Sequence, residues 1–255
     1  MTTQIQRTVV ISGAGSPRGI GRAVAQRMAG QGWAVAVADI DQAAARQTAE
    51  LLSESGVPAL GLGCDVTDEA SVLALRDAIA ADPALPAVGA VFPIAGVTAP
   101  MDFVDSTLAD WNRVIAVNST GSYLLIKAFV EQMIANRFGR IVTMSSVTAQ
   151  HGGGVFSKTL YAAAKAANLG LMRGLARELA GYNITANAVA PGAVDTDIRA
   201  GATTPEREAA LSASVPLGRQ ASADDIAAAF AYFAGDDGAY LTGVTLNING
   251  GSYIA

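Results

Sequence analysis

Thr8-Val-Val-Ile-Ser-Gly-Ala-Gly-Ser-Pro-Arg-Gly-Ile-Gly21 reads as a short buried strand that breaks into a glycine-rich turn and passes straight into a helix. Glycines let the backbone turn tightly and approach a pyrophosphate, and the positive end of the following helix attracts that charge. The next apolar run ends at Asp39, 18 residues beyond Gly21. That is near the spacing of a carboxylate that accepts hydrogen bonds from an adenosine ribose. The other reading of Asp39 is a member of the Asp39-Ile-Asp41 turn that caps the next helix.

The same alternation continues along the chain. Thr8–Ser12, Ala34–Ala38, Ala59–Gly63, Ala87–Ile94, Arg140–Met144, Ile184–Ala190 and Val244–Ile248 are near-continuous apolar runs of strand length. Such runs suit strands covered on both faces. Gly19–Gln31, Gln42–Ser55, Glu69–Ala81, Leu108–Asn136, Thr159–Gly181 and Ala223–Ala234 have helical length and pattern. The predicted fold class is α/β: a single-domain, doubly wound Rossmann fold over residues 1–255, with a seven-stranded parallel sheet and helices on both faces. The longest break in the rhythm, Gly192 to Arg219, has a helical core around Glu206–Ser212 and is expected to form a substrate lid around residues 193–215.

At 255 residues, half of them hydrophobic, the chain has ample material for one core. A net charge of −5 gives no electrostatic footprint for nucleic acid or an anionic membrane. Cys64 is the only cysteine, so no internal disulfide is possible, and it reads as a small core residue. No signal region and no run of transmembrane length is visible, so a cytoplasmic location is the expectation. No metal-ligand cluster is read, and none is needed for the chemistry below.

Chemistry enters at Leu160-Tyr-Ala-Ala-Ala-Lys-Ala-Ala167. Alanine favours helix, and positions i and i+4 share a helical face, so Tyr161 and Lys165 stand side by side. A tyrosine titrates near ~10, too high for a base at neutral pH. A neighbouring cation favours the phenolate, so Lys165 is expected to lower that value and let Tyr161 exchange protons with an alcohol.

In order along the chain, Gly13…Gly19-Ile-Gly21, Asp65-Val66, Ala95-Gly96, Asn118, Ser146, Tyr161-x-x-x-Lys165, Pro191-Gly192 and Thr196 resemble the short-chain dehydrogenase/reductase family over essentially the whole length. The resemblance implies a nicotinamide cofactor at the carboxyl ends of the strands. Gly13, Arg18, Gly19, Ile20, Gly21 and Asp39 would hold its adenosine half, with Asp65 and Val66 beyond them. Ala95, Gly96, Tyr161, Lys165, Pro191, Gly192, Val194 and Thr196 would complete the cofactor site. It also implies Tyr161 as general acid/base, Ser146 as the group that polarises the substrate oxygen, and Lys165 as holder of the nicotinamide ribose. Asn118 would carry a water beside Lys165, as a locally opened helix allows.

Three departures stand out. The glycine turn is longer than the family pattern, so either Gly13 or Gly15 is its first glycine. Pro93-Ile-Ala-Gly96 replaces the usual paired asparagines, and packing by Ile94 is expected to substitute for the lost hydrogen bonds. The separation of Ser146 from Tyr161 is also enlarged, within Gln150–Lys158 beside the expected substrate pocket.

Asp39 argues for NAD, against Arg18, which can meet a 2′-phosphate in related reductases. The expected reaction is hydride transfer between nicotinamide and a secondary alcohol or ketone, with a small polar substrate: a sugar, polyol or hydroxy acid. His151, Phe156, Lys158 and Arg199 join Ser146 as candidate substrate contacts; His151 is expected to line the pocket or face solvent, not to catalyse. The alternatives are a 3-oxoacyl-(carrier protein) reductase, which would need a basic patch for its acidic carrier, and a non-catalytic nucleotide sensor. A homotetramer is the expected assembly, with a small-molecule substrate and with neither nucleic acid nor membrane as a partner.

Overall fold

The computed structural model describes residues 7–154, 156–199 and 203–254. The chain runs through β1 (Thr8–Ser12), α1 (Ile20–Gly30), β2 (Ala34–Asp39), α2 (Gln42–Glu54), β3 (Ala59–Gly63), α3 (Glu69–Ala81) and β4 (Val88–Pro93). It continues with α4 (Leu108–Ile115), α5 (Gly121–Asn136), β5 (Gly139–Met144), α6 (Thr148–His151), α7 (Thr159–Leu179) and β6 (Ile184–Pro191). Last come α8 (Pro205–Ser214), α9 (Ala223–Ala234) and β7 (Thr245–Ile248).

The strands form one seven-stranded sheet in the order β3-β2-β1-β4-β5-β6-β7, and every pairing is parallel. Parallel strands need crossovers, and the helices that supply them cover both faces. Alternation along β1 sorts the core. Val9 and Ile11 pack with Met28 of α1 and Phe230 of α9, whereas Val10 faces Phe129 and Met133 of α5 and Met172 of α7. The order in which strands are added reverses between β1 and β4, with β2 and β3 laid down on one side and β4 to β7 on the other, so the crevice beyond their carboxyl ends lies at the switch point of the sheet. The glycine turn follows β1 and Ala95-Gly96 follows β4, on the two sides of that crevice.

The helix expected over Leu108–Asn136 is not uniform. Ala116–Thr120 is wound as a π-helical segment between α4 and α5. Lost i−4 bonds there must be replaced by side chains. Asn118 Nδ2 donates to the Val114 carbonyl at 2.9 Å, while Asn168 Nδ2 and Ser122 Oγ donate to the Asn118 carbonyl at 3.0 and 3.1 Å. Such segments gather at functional sites because they open a helix locally. Part of the stretch expected as loop between Ser146 and Tyr161 is also ordered: α6 ends in Gly152, whose φ of +92° stops the helix.

Candidate active site

Ser146, Tyr161, Lys165 and Asn118 come together, buried, beyond the carboxyl ends of β4 and β5. Strand β5 delivers the two serines, and α7 delivers Tyr161 and Lys165 on one face. The serines separate by partner. Ser145 Oγ donates to the Lys165 carbonyl at 2.9 Å and so fastens α7 to the sheet, whereas Ser146 Oγ accepts from Thr148 N at 3.1 Å and is close enough to the Tyr161 phenol to favour its charged form. Lys165 Nζ donates to the Met144 carbonyl at 3.0 Å. Asn118 Nδ2 also reaches the Val97 carbonyl at 3.0 Å, and its Oδ1 is buried without a partner. A Cβ on Gly96 would lie 2.7 Å from that oxygen and 3.3 Å from Lys165 Nζ, so only glycine leaves both atoms their places.

The electrostatics correct one expectation. Burial pushes the Tyr161 phenol up to about 12, with Ser146 pulling the other way, and pushes Lys165 down to about 7. Desolvation disfavours both charges and decides both directions. Adjacency on the helix does not by itself lower the tyrosine.

At the opposite end of the crevice the glycine turn has the shape a dinucleotide needs. Gly13 takes a φ of +69° and a Cβ there would strike Ala95; a Cβ on Gly21 would overlap the Gly13 carbonyl. The first turn of α1 carries no acidic residue and its N-cap, Gly19, brings no side chain, so the N–H groups of Ile20, Gly21 and Arg22 are left for a ligand. Asp39, at the end of β2, is not the cap of α2. Asp41 takes that role through Ala43 N and Ala44 N, and Asp39 Oδ2 instead accepts from Gly15 N at 2.8 Å. These features fit an adenine dinucleotide. Arg18 is held by Asp195 at 2.6 Å and Asp197 at 3.6 Å, joining the glycine turn to the chain after β6.

The remaining candidates line the same edge of the sheet. Asp65 lies exposed and Val66 buried after β3, where Asp65 accepts from Thr67 and stays below the ordinary carboxylate pKa. Pro191 ends β6; Gly192 N–H donates to the Ile248 carbonyl at 2.9 Å, and Val194 bridges to Ala221, with Thr196 following. Lys158 Nζ meets Asp102 Oδ1 at 2.7 Å. His151 is exposed at the end of α6, 5.8 Å from the Tyr253 ring, and Phe156 is half-buried. The side chain of Arg199 lies outside the described part.

Several contributors escape a reading of the sequence. Besides Asn168 and Ser122, Ser12 Oγ accepts from Ile94 N at 3.2 Å and Ala95 N at 3.3 Å. It therefore stitches β1 to the chain after β4, where packing by Ile94 alone had been expected. Arg22, buried behind the glycine turn, is another. The signal available for Arg22 was a cation in the first turn of a helix, where a cation is unfavourable unless something balances it.

Comparison with known proteins agrees with this geometry. Residues 13–253 match the family model described as enoyl-(acyl carrier protein) reductase. An uncharacterized short-chain type dehydrogenase/reductase of Sinorhizobium fredii is 41% identical over 97% of this chain and 98% of its own. The 3-oxoacyl-(acyl-carrier-protein) reductase FabG of Escherichia coli is 37% identical over 94% and 95%. The crystal structure of a short-chain type dehydrogenase/reductase from Mycobacterium marinum superposes with a TM-score of 0.91 at 27% identity, covering 99% of this chain and 98% of that one. Among the described residues no helix is long and apolar enough to cross a membrane. The chain belongs to the short-chain dehydrogenase/reductase family, and is an oxidoreductase of the kind that works between hydroxyl and keto groups with a nicotinamide dinucleotide.

Proposed function

We propose that this protein is an NAD-preferring dehydrogenase of a small polar secondary alcohol, or reductase of the matching ketone, acting in the cytoplasm as one 255-residue domain. The observation that carries the reading is the convergence of Ser146, Tyr161, Lys165 and Asn118 at the switch-point crevice, with Asp39 closing its other end. The glycine turn and Asp39 would hold the adenosine half of the cofactor, and Lys165 the nicotinamide ribose. The nicotinamide, when bound, supplies or takes up the hydride. Ser146 donates to the substrate oxygen and orients it toward Tyr161. Tyr161 gives that oxygen a proton in reduction and removes one in oxidation. Lys165 passes the proton outward past Asn118 Oδ1, whose free acceptor suits a bridging water.

A preference for NAD follows from Asp39, whose charge repels a 2′-phosphate, and from the commitment of Arg18 to two carboxylates. Residues 193–215 form the lid in this reading. Its base is pinned by Asp195 N–H to the Ala221 carbonyl at 2.9 Å, and α8 is its body. The rim of the pocket is polar: Lys158 with Asp102, and Gln150 bonded to Asn247 at 2.9 Å with its Oε1 buried and unpartnered. An apolar substrate would leave Gln150 Oε1 unpaired, at ~1–3 kcal/mol.

The second reading, reduction of a 3-oxoacyl group on a carrier protein, is favoured by the FabG relatives. Against it, Arg18, Lys158 and Arg219 are each paired with a carboxylate of this chain and are not free for an acidic carrier. Steady-state kinetics with NAD⁺ and NADP⁺ over sugars, polyols, hydroxy acids and long-chain alcohols, and with NADH and NADPH over 3-oxoacyl thioesters, separates the two. Highest kcat/KM on an acyl thioester or a long-chain alcohol would overturn the polar-substrate reading.

We further propose a homotetramer. Its support is resemblance together with the apolar side chains that α4, α5 and the preceding turn leave in solvent, Phe103, Val104, Leu108, Trp111 and Tyr123.

A further inference from the structure

Arg22 is a buried cation with no anion of its own. It lies in the first turn of α1 and is 7% exposed. Its Nη2 donates to the Gly15 carbonyl at 2.7 Å and to Gln47 Oε1 at 3.2 Å, and its Nε is buried without a partner. Among the described residues no carboxylate forms an ion pair with it. Asp39, the carboxylate at the end of β2 that bonds this turn, spends its oxygens on Gly15 N and Asp41 N. Burying a cation against neutral carbonyls alone is costly, and the positive end of a helix makes it worse. A position that served stability alone would do better with an uncharged side chain.

The contacts of Arg22 suggest what the charge is for. Gly15 is pinned from both sides, its N–H by Asp39 and its carbonyl by Arg22, while Thr48 Oγ1 donates to the Ala14 carbonyl at 2.9 Å. The Ala14 and Gly15 carbonyls of this turn are thus both tied to side chains, and neither is left to repel an anion.

We propose that Arg22 is a positioning residue of the dinucleotide site: it draws the Gly15 carbonyl away from the pyrophosphate and supplies, from behind the turn, the positive charge that the pyrophosphate balances. The inference rests on the reading of the Gly13–Gly21 turn as the pyrophosphate cradle.

Arg22→Gln keeps a donor for the Gly15 carbonyl and removes the charge; Arg22→Lys keeps the charge. Binding of NAD⁺ and ADP is measured by calorimetry, binding of adenosine by saturation-transfer NMR, and the stability of the ligand-free protein by thermal melting. For Arg22→Gln the expected result is a loss of about ten-fold or more for ADP and NAD⁺, with adenosine changed less than about two-fold and no fall in Tm. The salt dependence of ADP binding should also flatten. Arg22→Lys should stay within about five-fold of wild type for ADP. Equal ADP affinity in Arg22→Gln and wild type would overturn the role of Arg22. So would parallel losses for adenosine and ADP with a lowered Tm, which describe a mere clasp between α1 and α2. If the glutamine variant fails to fold, the lysine variant decides alone: a loss of ADP affinity beyond about ten-fold overturns the charge role. A wild-type protein that binds neither NAD⁺ nor ADP would instead overturn the cradle reading, and this inference with it.

Discussion

Lys165 Nζ stands 5.6 Å from the centre of the Tyr161 ring and gives its hydrogen bond to the Met144 carbonyl. The lysine is hydrogen-bonded to one backbone oxygen, and burial favours the protonated phenol.

This arrangement has a pH signature. Lys165 titrates near about 7 when folded, against 10.5 for the free side chain. Between those values the unfolded chain binds a proton that the folded chain does not, so this group's contribution to stability rises with pH from about 7 to 10.5 and is lost as pH falls through 7. Tyr161, raised to about 12 from 10.0, acts oppositely above pH 10. Melting curves of wild type and Lys165→Met should therefore diverge at pH 6, with the variant relatively more stable by at most roughly 5 kcal/mol, and converge toward pH 10. A difference independent of pH would show that burial does not depress Lys165.

Tyr161→Phe removes the proton-transfer group and little else. Turnover should fall ~10²–10⁴-fold with the cofactor dissociation constant within about two-fold of wild type. Lys165→Met should damage both kcat and cofactor binding, because the lysine is assigned to the ribose as well as to the proton path. Retention of more than about a tenth of kcat by the Phe variant would remove Tyr161 from the acid/base role.

Asp39→Ser should shift the ratio of kcat/KM for NAD⁺ over NADP⁺ toward NADP⁺ by roughly 5- to 150-fold, as loss of ~1–3 kcal/mol of discrimination requires. The same change strips Gly15 N of its acceptor, so a fall in stability of ~1–3 kcal/mol should accompany it. Equal or better kcat/KM with NADP⁺ in the wild type would refute the cofactor assignment outright.

Gly96→Ala places a methyl group 2.7 Å from Asn118 Oδ1 and 3.3 Å from Lys165 Nζ. Asn118 Oδ1 must shift against the two hydrogen bonds that hold Asn118 Nδ2, and Lys165 Nζ must give slightly, so kcat should fall by about ten-fold or more while adenosine-half binding, tested with ADP, is unchanged. Unaltered kinetics would mean that the water path past Asn118 is not used.

Light scattering at micromolar concentration should report a mass near four times 25.9 kDa. Arg or Glu in place of Val104 or Leu108, both largely exposed in the single chain, should break the assembly without unfolding the subunit. A 25.9 kDa species for the wild type would sink the tetramer.

The alternation of buried strands with helices, the glycine turn after β1, and the shared face of Tyr161 and Lys165 were all legible in the order of residues. Each depends on interactions within a few positions of the chain, where periodicity and propensity decide the outcome. Tertiary structure decided the rest. It separated Ser146 from Ser145 by giving one to Tyr161 and the other to the Lys165 carbonyl. It opened the helix at Asn118, because Asn168, 50 residues away, could take the freed carbonyl. It replaced a missing asparagine with Ser12, and it left Arg22 buried against Gly15 with no counter-charge. It also reversed the expected direction of the Tyr161 pKa, because burial is set by what packs around α7 and not by the neighbour four residues on. Hydrogen-bond partners and desolvation are properties of the assembled surroundings, drawn from segments far apart in the chain, and no local pattern encodes them.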